Sequence, residues 1–88
     1  MTAVNHFTFH SDDGHGWVFI DKDTMALLGL DRSSFSNYSY YDDDGVYAEE
    51  DCDAGVIFKQ LDVHGYSDAT FTSKHHNGSH WIRNLKRC

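Results

Sequence analysis

Residues 38–53 read YSYYDDDGVYAEEDCD, and this stretch predicts a β-hairpin that runs directly into a helix. Residues 38–41 and 46–49 are rich in tyrosine and valine, which is typical of strands. The dipeptide Asp44-Gly45 lies between these two runs and favours a tight hairpin turn. Asp51 belongs to a residue type that commonly caps the N-terminus of a helix. We therefore expect two antiparallel strands and, after Asp51, a helix.

The same stretch carries seven of the fourteen acidic residues and four of the five tyrosines. A helix N-terminus stabilises nearby negative charge, but capping needs one carboxylate and not four. The excess repulsion indicates a contact surface for a basic partner, with tyrosines as anchors. Alternation does not decide which tyrosines face outward. The predicted partner-binding residues are Asp42, Asp43, Asp44, Glu49, Glu50, Asp51, Asp53, Tyr38, Tyr40, Tyr41 and Tyr47.

On the N-terminal side of this stretch, two further strands and a short helix are predicted. Residues 6–10 alternate as a strand does, and we expect them at a sheet edge. Residues 17–20 are aromatic and β-branched, which is typical of a central strand. Asp21 is placed to cap a short helix that ends at Gly29. The apolar residues of this helix are Met25, Leu27 and Leu28.

On the C-terminal side, a helix over residues 52–63 is indicated by apolar residues with helical spacing. They are Ala54, Ile57, Phe58 and Leu61, and we expect all four to face the core. Gly65 is placed to end this helix. Residues 69–73 alternate as a last strand, 77–78 form a turn, and Trp81-Ile82 are expected to close the core.

These elements predict a single α+β domain over residues 1–88. The expected architecture is a small two-layer sandwich, in which an antiparallel sheet carries two helices on one face. A ferredoxin-like βαββαβ order is compatible with the pattern, although the first hairpin would alter it.

The net charge of −7 is unevenly distributed along the chain. Residues 1–73 contain 3 Lys/Arg and 14 Asp/Glu, a net charge of −11, whereas residues 74–88 contain four Lys/Arg and no acid, a net charge of +4. The acidic body argues against nucleic acid as the main partner and favours basic proteins. The basic segment after residue 73 either makes a weak nucleic-acid contact or folds back onto the acidic body.

The sequence predicts no catalytic residue, no cofactor and no essential metal. Seven histidines are present, but their spacing does not match common zinc sites. No nucleophile elbow, phosphate loop or Cys-His signature occurs, so we expect a protein that is not an enzyme. The two cysteines, Cys52 and Cys88, fit a reducing cytosol. We expect no signal peptide and no membrane-spanning segment.

Four segments carry a resemblance to a known family: 15–17 (HGW), 37–40 (NYSY), 47–55 (YAEEDCDAG) and 82–84 (IRN). Together they resemble a family of small proteins carried by phages and bacterial mobile elements. Ala48 departs from this family's pattern, which more often has an aliphatic residue at that position.

The resemblance implies an accessory protein in the bacterial cytoplasm that inhibits host defence, as proteins of the anti-CRISPR type do. Such a protein would occupy the basic nucleic-acid-binding surface of a Cas subunit or of another nucleic-acid-handling protein. Two alternatives remain open at this point. One is a regulatory or DNA-associated accessory protein that uses the basic segment, and the other is a small histidine-dependent metal protein.

Overall fold

A six-stranded sheet forms the centre of the computed structural model, which describes residues 4–66 and 68–88. Its strands follow the spatial order β5-β1-β2-β4-β3-β6. Two helices and two short 3-10 turns, Arg32–Ser34 and Trp81–Asn84, complete the fold. The bounds are β1 His6–Ser11, β2 Gly16–Asp21, α1 Lys22–Leu27, β3 Tyr40–Tyr41, β4 Gly45–Glu49, α2 Ala54–Val63, β5 Thr70–His75 and β6 Lys86–Arg87.

The α+β class is confirmed, but the expectation of a purely antiparallel sheet is wrong. Strand β5 runs parallel to β1, whereas the other neighbouring strands pair antiparallel. The parallel pair arises because the chain returns to β1 through the long connection that contains α2. Strand β1 therefore lies inside the sheet, between β5 and β2, and not at an edge. The β1–β2 hairpin before α1 also distinguishes the order from βαββαβ.

One face of the sheet packs against both helices through an apolar core. Alternating residues of the central strands point to this face because side chains alternate along a strand. Buried side chains of the two helices meet them. The principal members are Val18, Ile20, Met25, Leu28, Val46, Ala48, Ala54, Ile57 and Leu61.

The opposite face carries a second, aromatic core. Trp17, Tyr40 and Tyr47 are buried there together with Ile82 from the C-terminal segment 80–88. Ile82 is fully buried, as expected, whereas Trp81 is 46% exposed. The C-terminal segment thus covers the face of the sheet that the helices leave open.

The helices agree with the sequence predictions at one cap and depart from them at two points. Asp21 caps α1 by accepting a hydrogen bond from the Thr24 amide at 2.7 Å, which confirms the predicted cap. Helix α2, however, begins at Ala54 with Asp53 as N-cap residue, so the predicted cap at Asp51 is wrong. Phe58 was expected in the core but is exposed, because it lies at the solvent-facing margin of α2.

The hairpin between β3 and β4 is fixed against the start of α1. Gly45 pairs with Asp21 across the sheet, and a Cβ atom at Gly45 would lie 2.1 Å from the carbonyl oxygen of Ile20. Only glycine permits this close approach of the two strands. The Lys22 amide also donates to the carbonyl oxygen of Asp44 at 3.2 Å. The acidic turn therefore lies beside the N-terminus of α1.

Candidate functional site

The acidic residues of 38–53 do not form one surface, because they lie at opposite ends of β4. Asp42, Asp43 and Asp44 precede this five-residue strand, whereas Glu50 and Asp51 follow it. At the usual rise per residue, the two ends are about 14 Å apart. The sequence brings these carboxylates close together along the chain, and the extended strand separates them in space.

At the hairpin end, Asp42 organises the turn and leaves its neighbours free. Its carboxylate accepts hydrogen bonds from the Asp44 amide at 2.9 Å and from the Tyr47 hydroxyl at 3.0 Å. Burial, together with Asp42, raises the pKa of Tyr47. Asp43 and Asp44 are exposed. We define the hairpin acidic surface as Asp21, Asp23, Asp31, Asp42, Asp43 and Asp44.

Two cations border the hairpin acidic surface. Lys22 and Arg32 line the same shallow depression as Asp31, Asp42 and Asp43. The Arg32 guanidinium lies 4.3 Å from the centre of the half-buried Tyr41 ring, so this cation is stacked on an aromatic side chain. The hairpin acidic surface has six carboxylates, so it keeps a net negative charge when these two cations are counted.

At the far end of β4, two of the predicted contact carboxylates are structural. Glu49 is buried and accepts hydrogen bonds from the amides of Asp51 and Cys52, at 2.9 and 2.8 Å. Asp53 is also buried, and it accepts hydrogen bonds from the hydroxyls of Ser36 and Ser39. The fold explains these two carboxylates, while Glu50 and Asp51 remain exposed.

The structure also separates the four predicted tyrosine anchors. Tyr40 and Tyr47 are buried in the aromatic core, and Tyr41 is half-buried against the helix side. Tyr38 is 59% exposed. A partner can therefore reach Tyr38 and the edge of Tyr41. The contact role of the exposed residues stays a prediction.

A pocket that the sequence analysis did not predict lies between the C-terminal segment and the aromatic face of the sheet. Its volume is about 480 Å³. We call it the arginine pocket, after the two guanidinium groups in its wall. Its main lining residues are His15, Trp17, Tyr38, Glu49, Arg83 and Arg87.

Arg83 is held in this pocket by a buried carboxylate. Its Nε and Nη2 atoms donate to Asp12 at 2.6 and 3.0 Å, and the Asp12 side chain is only 1% exposed. Asp12 also accepts from the backbone amides of Gly14, His15 and His80. The hydrogen bond from Arg83 is the main reason that the pKa of Asp12 lies well below its usual range. This pair joins the β1–β2 turn to the C-terminal segment.

Arg87 lies in the same pocket as Arg83 and is held there by different contacts. Its Nη1 atom donates to the carbonyl oxygen of Asn37 at 3.1 Å, and its guanidinium lies 5.2 Å from the centre of the Tyr40 ring. Together with the Arg83 pair, these contacts show that part of the basic C-terminal segment folds back onto the body of the protein.

Three histidines form a contiguous cluster next to the aromatic core. The His80 ring lies 5.3 Å from His10 and 5.3 Å from His76, measured between centroids. His80 is buried and its Nδ1 atom accepts a hydrogen bond from the Ile82 amide at 3.1 Å. Burial and then His76 lower the pKa of His80. Burial and then His80 likewise lower the pKa of His10.

Metal binding and thiol chemistry depend on how the histidine, cysteine and carboxylate side chains are grouped and on the pKa values of the thiols. Within residues 4–66 and 68–88, no group of three or more His, Cys, Asp or Glu side chains is placed to hold a metal ion. Burial raises the pKa of Cys88 to about 11, and the pKa of Cys52 is also raised. Both thiols therefore stay protonated at neutral pH, which makes them poor nucleophiles.

Comparison with protein-family models, with curated proteins and with solved structures finds no match for this chain. Among the helices of the described residues, none has the length and apolar character needed to cross a bilayer. The four segments that carry the phage-family resemblance all reach the arginine pocket, through His15, Tyr38, Glu49 and Arg83 among others.

Proposed function

We propose that this chain is a non-enzymatic inhibitor of the anti-CRISPR type, encoded by a phage or another mobile element. It would bind a Cas subunit, or another nucleic-acid-handling protein of the host, on the basic surface that normally holds phosphates. The hairpin acidic surface would supply carboxylates to the arginines and lysines of that partner.

The observation that carries this proposal is the shortage of internal partners for exposed carboxylates. In the described part of the chain, the ion pair between Asp12 and Arg83 is the one that joins a carboxylate to a lysine or an arginine. Asp43 and Asp44 are exposed at the tip of the hairpin and form no such pair. Their charges are therefore available to a partner.

Electrostatic attraction of this kind acts mainly on the rate of association. A single exposed ion pair contributes only about 0.2–1 kcal/mol. Several carboxylates on one surface, however, steer a basic partner and fix its orientation. The interaction should weaken as salt is added, because exposed charges are screened over about 8–10 Å at physiological ionic strength.

The test compares two double variants that remove the same charge from the two ends of β4. Asp43→Asn with Asp44→Asn alters the hairpin end, and Glu50→Gln with Asp51→Asn is the matched control. The tagged full chain is used as bait in nuclease-treated bacterial lysate, and each captured nucleic-acid-handling protein is purified for binding kinetics. We expect the hairpin variant to associate about tenfold more slowly at low salt, and DNA or RNA to compete with the wild-type chain.

Three results would contradict the proposal. The first is a hairpin variant that is folded and binds as the wild-type chain does. The second is a larger loss in the control variant, which would place the contact at the other end of β4. The third is binding that neither salt nor nucleic acid weakens, since carboxylates in a phosphate-binding surface must compete with phosphates.

A further inference from the structure

The arginine pocket contains binding groups that the proposed inhibitor function does not use. Arg83 uses its Nε and Nη2 atoms to bind Asp12, and Arg87 uses Nη1 to bind the Asn37 carbonyl. A guanidinium has further N–H donors beyond these. Those remaining donors make no hydrogen bond to the described residues. The pocket therefore offers the remaining N–H donors of two pre-positioned guanidinium groups to a ligand, with the charge of Arg83 balanced by Asp12.

These two guanidinium groups suit a phosphate. Arginine presents planar pairs of N–H groups that match phosphate and carboxylate oxygens. Asp12 holds Arg83 in place, and the face of Tyr40 supports Arg87. Because both side chains are already ordered, little conformational entropy is lost when they bind an anion.

The aromatic walls of the pocket suit a planar group. Tyr38 exposes 59% of its surface at the mouth, and the buried Trp17 forms part of the inner wall. The indole Nε1 of Trp17 is buried and has no acceptor among residues 4–66 and 68–88. A buried donor without a partner is uncommon and calls for a physical explanation. A ligand acceptor in the pocket would provide one.

Carboxylates on the other side of the pocket add hydrogen-bond acceptors. The Oε1 atom of Glu49 lies 3.6 Å from Nδ1 of His15, and Asp51 is exposed nearby. These oxygens can accept from a ligand amino group. At about 480 Å³, the pocket falls within the usual range of small-molecule sites, about 300–1,000 Å³.

From this combination we infer that the arginine pocket binds a free nucleoside monophosphate. Its phosphate lies against Arg83 and Arg87, and its base stacks on the exposed Tyr38 ring, as bases do on aromatic side chains. An amino group on the base faces Glu49. A longer nucleic acid is disfavoured, because the surrounding body has a net charge of −11 over residues 1–73 and repels a polyanion. The inference is independent of the hairpin acidic surface.

The test is a titration of the full chain with guanosine and adenosine monophosphate, followed in ¹H–¹⁵N spectra. We expect saturable shifts in which the Trp17 indole signal moves, while the signal of the exposed Trp81 stays in place. Arg87→Gln removes one phosphate ligand and should weaken binding about tenfold or more. Tyr38→Ala removes the exposed wall and should also weaken it.

Arg32→Gln is the matched control for Arg87→Gln. Arg32 is also stacked on a tyrosine, with its guanidinium 4.3 Å from the Tyr41 ring centre, but it lies outside the arginine pocket. We expect this variant to bind the nucleotide as the wild-type chain does.

The inference is overturned if neither nucleotide shifts the Trp17 signal up to millimolar concentration. It is also overturned if Arg87→Gln and Arg32→Gln have the same effect, which would show non-specific attraction. Inorganic phosphate that binds as tightly as the nucleotides would indicate an anion site that does not recognise the base. A short oligonucleotide that binds more tightly would identify a strand end, and not a free nucleotide, as the ligand.

Discussion

On the helix side of the sheet, Ile57 and Leu61 of α2 pack against apolar residues of the central strands. On the other side, the C-terminal segment is attached by the Asp12–Arg83 ion pair, by the His80 cap and by the burial of Ile82. The first interface is built from apolar contacts at regular spacing. The second depends on polar groups that lie far apart in the sequence.

This difference has consequences for folding and for function. The helix side resembles an ordinary hydrophobic core, whose stability follows the apolar area removed from water. The C-terminal side instead uses charged and titratable groups, so its stability depends on pH. The arginine pocket also lies on this second side. We expect the two sides to respond differently to substitution, and the following predictions test this.

The largest effect is expected from Ile57→Ala on the helix side. Ile57 is fully buried, and its truncation leaves a cavity that should lower the free energy of unfolding by about 3–4 kcal/mol. A loss of that size is a large fraction of the stability of so small a domain, about 5–15 kcal/mol. Denaturant titration followed by circular dichroism measures the change.

Phe58→Ala is the neighbouring control for this prediction. Phe58 is 37% exposed and contacts Phe71 edge-on, with 5.8 Å between ring centres. Its removal should lower the free energy of unfolding by about 2 kcal/mol, less than for Ile57→Ala, because more than a third of Phe58 is already exposed. If Phe58→Ala is as destabilising as Ile57→Ala, the placement of the buried face of α2 is wrong.

The second largest effect is expected from Asp12→Asn on the C-terminal side. The change leaves Arg83 without its counter-charge and should lower the free energy of unfolding by about 2–3 kcal/mol. That is less than for a deeply buried pair, because 33% of the Arg83 side chain is exposed. Asp13→Asn is the matched control, since the Asp13 side chain is 71% exposed, and it should have little effect.

The ion pair between Asp12 and Arg83 also predicts how the free energy of unfolding changes at acidic pH. The pKa of Asp12 is lower in the folded state than in the unfolded chain, where it is about 4. Ionised Asp12 therefore makes its full contribution to stability at pH values above about 4. That contribution is lost as the pH falls below about 4 towards the folded pKa. The wild-type chain should therefore lose more stability below pH 4 than Asp12→Asn does. Equal losses in both chains would contradict the role assigned to this pair.

The helix side was largely predictable from the sequence because its signals are local. The spacing of Ile57 and Leu61, the cap at Asp21 and the aromatic and β-branched run around Val18 each act over a few residues. The β1–β5 pairing was missed, since parallel pairing leaves no local turn signal. The ion pair between Asp12 and Arg83 links positions 71 residues apart, and no periodicity connects them.

The acidic stretch shows a further limit of reading the sequence alone. Glu49 and Asp53 were predicted at a contact surface because capping a helix needs only one of the four carboxylates near its N-terminus. Their burial depends on partners such as Ser36 and the Asp51 amide, whose positions follow from tertiary structure. The exposure of Asp43 and Asp44 was easier to anticipate, since a hairpin tip extends into solvent.

The smallest effect is expected from the histidine cluster. It is a loss of stability when the pH is lowered into the mildly acidic range. In the folded state, His80 accepts a hydrogen bond from the Ile82 amide through Nδ1, so protonation at Nδ1 would break this cap. Its neighbours His10, His76 and Arg83 oppose added positive charge, whereas Asp12 favours it. Because burial lowers the folded pKa, the unfolded chain takes up a proton first, and stability falls as the pH drops from about 6.5 through the folded value.

His80→Asn separates this titration from the cap itself, because an asparagine side chain can accept the same bond from the Ile82 amide. The variant should be less stable than the wild-type chain at pH 7.5, because it loses the contacts of the buried His80 ring with His10 and His76. Its melting temperature should fall less than that of the wild-type chain between pH 7.5 and pH 5. Thermal unfolding at several values between pH 7.5 and pH 5 makes the comparison, and this range stays above the region where Asp12 titrates. If both chains lose the same stability over the range, the proton is taken up at another group and His80 does not make the attachment of the C-terminal segment sensitive to mild acid.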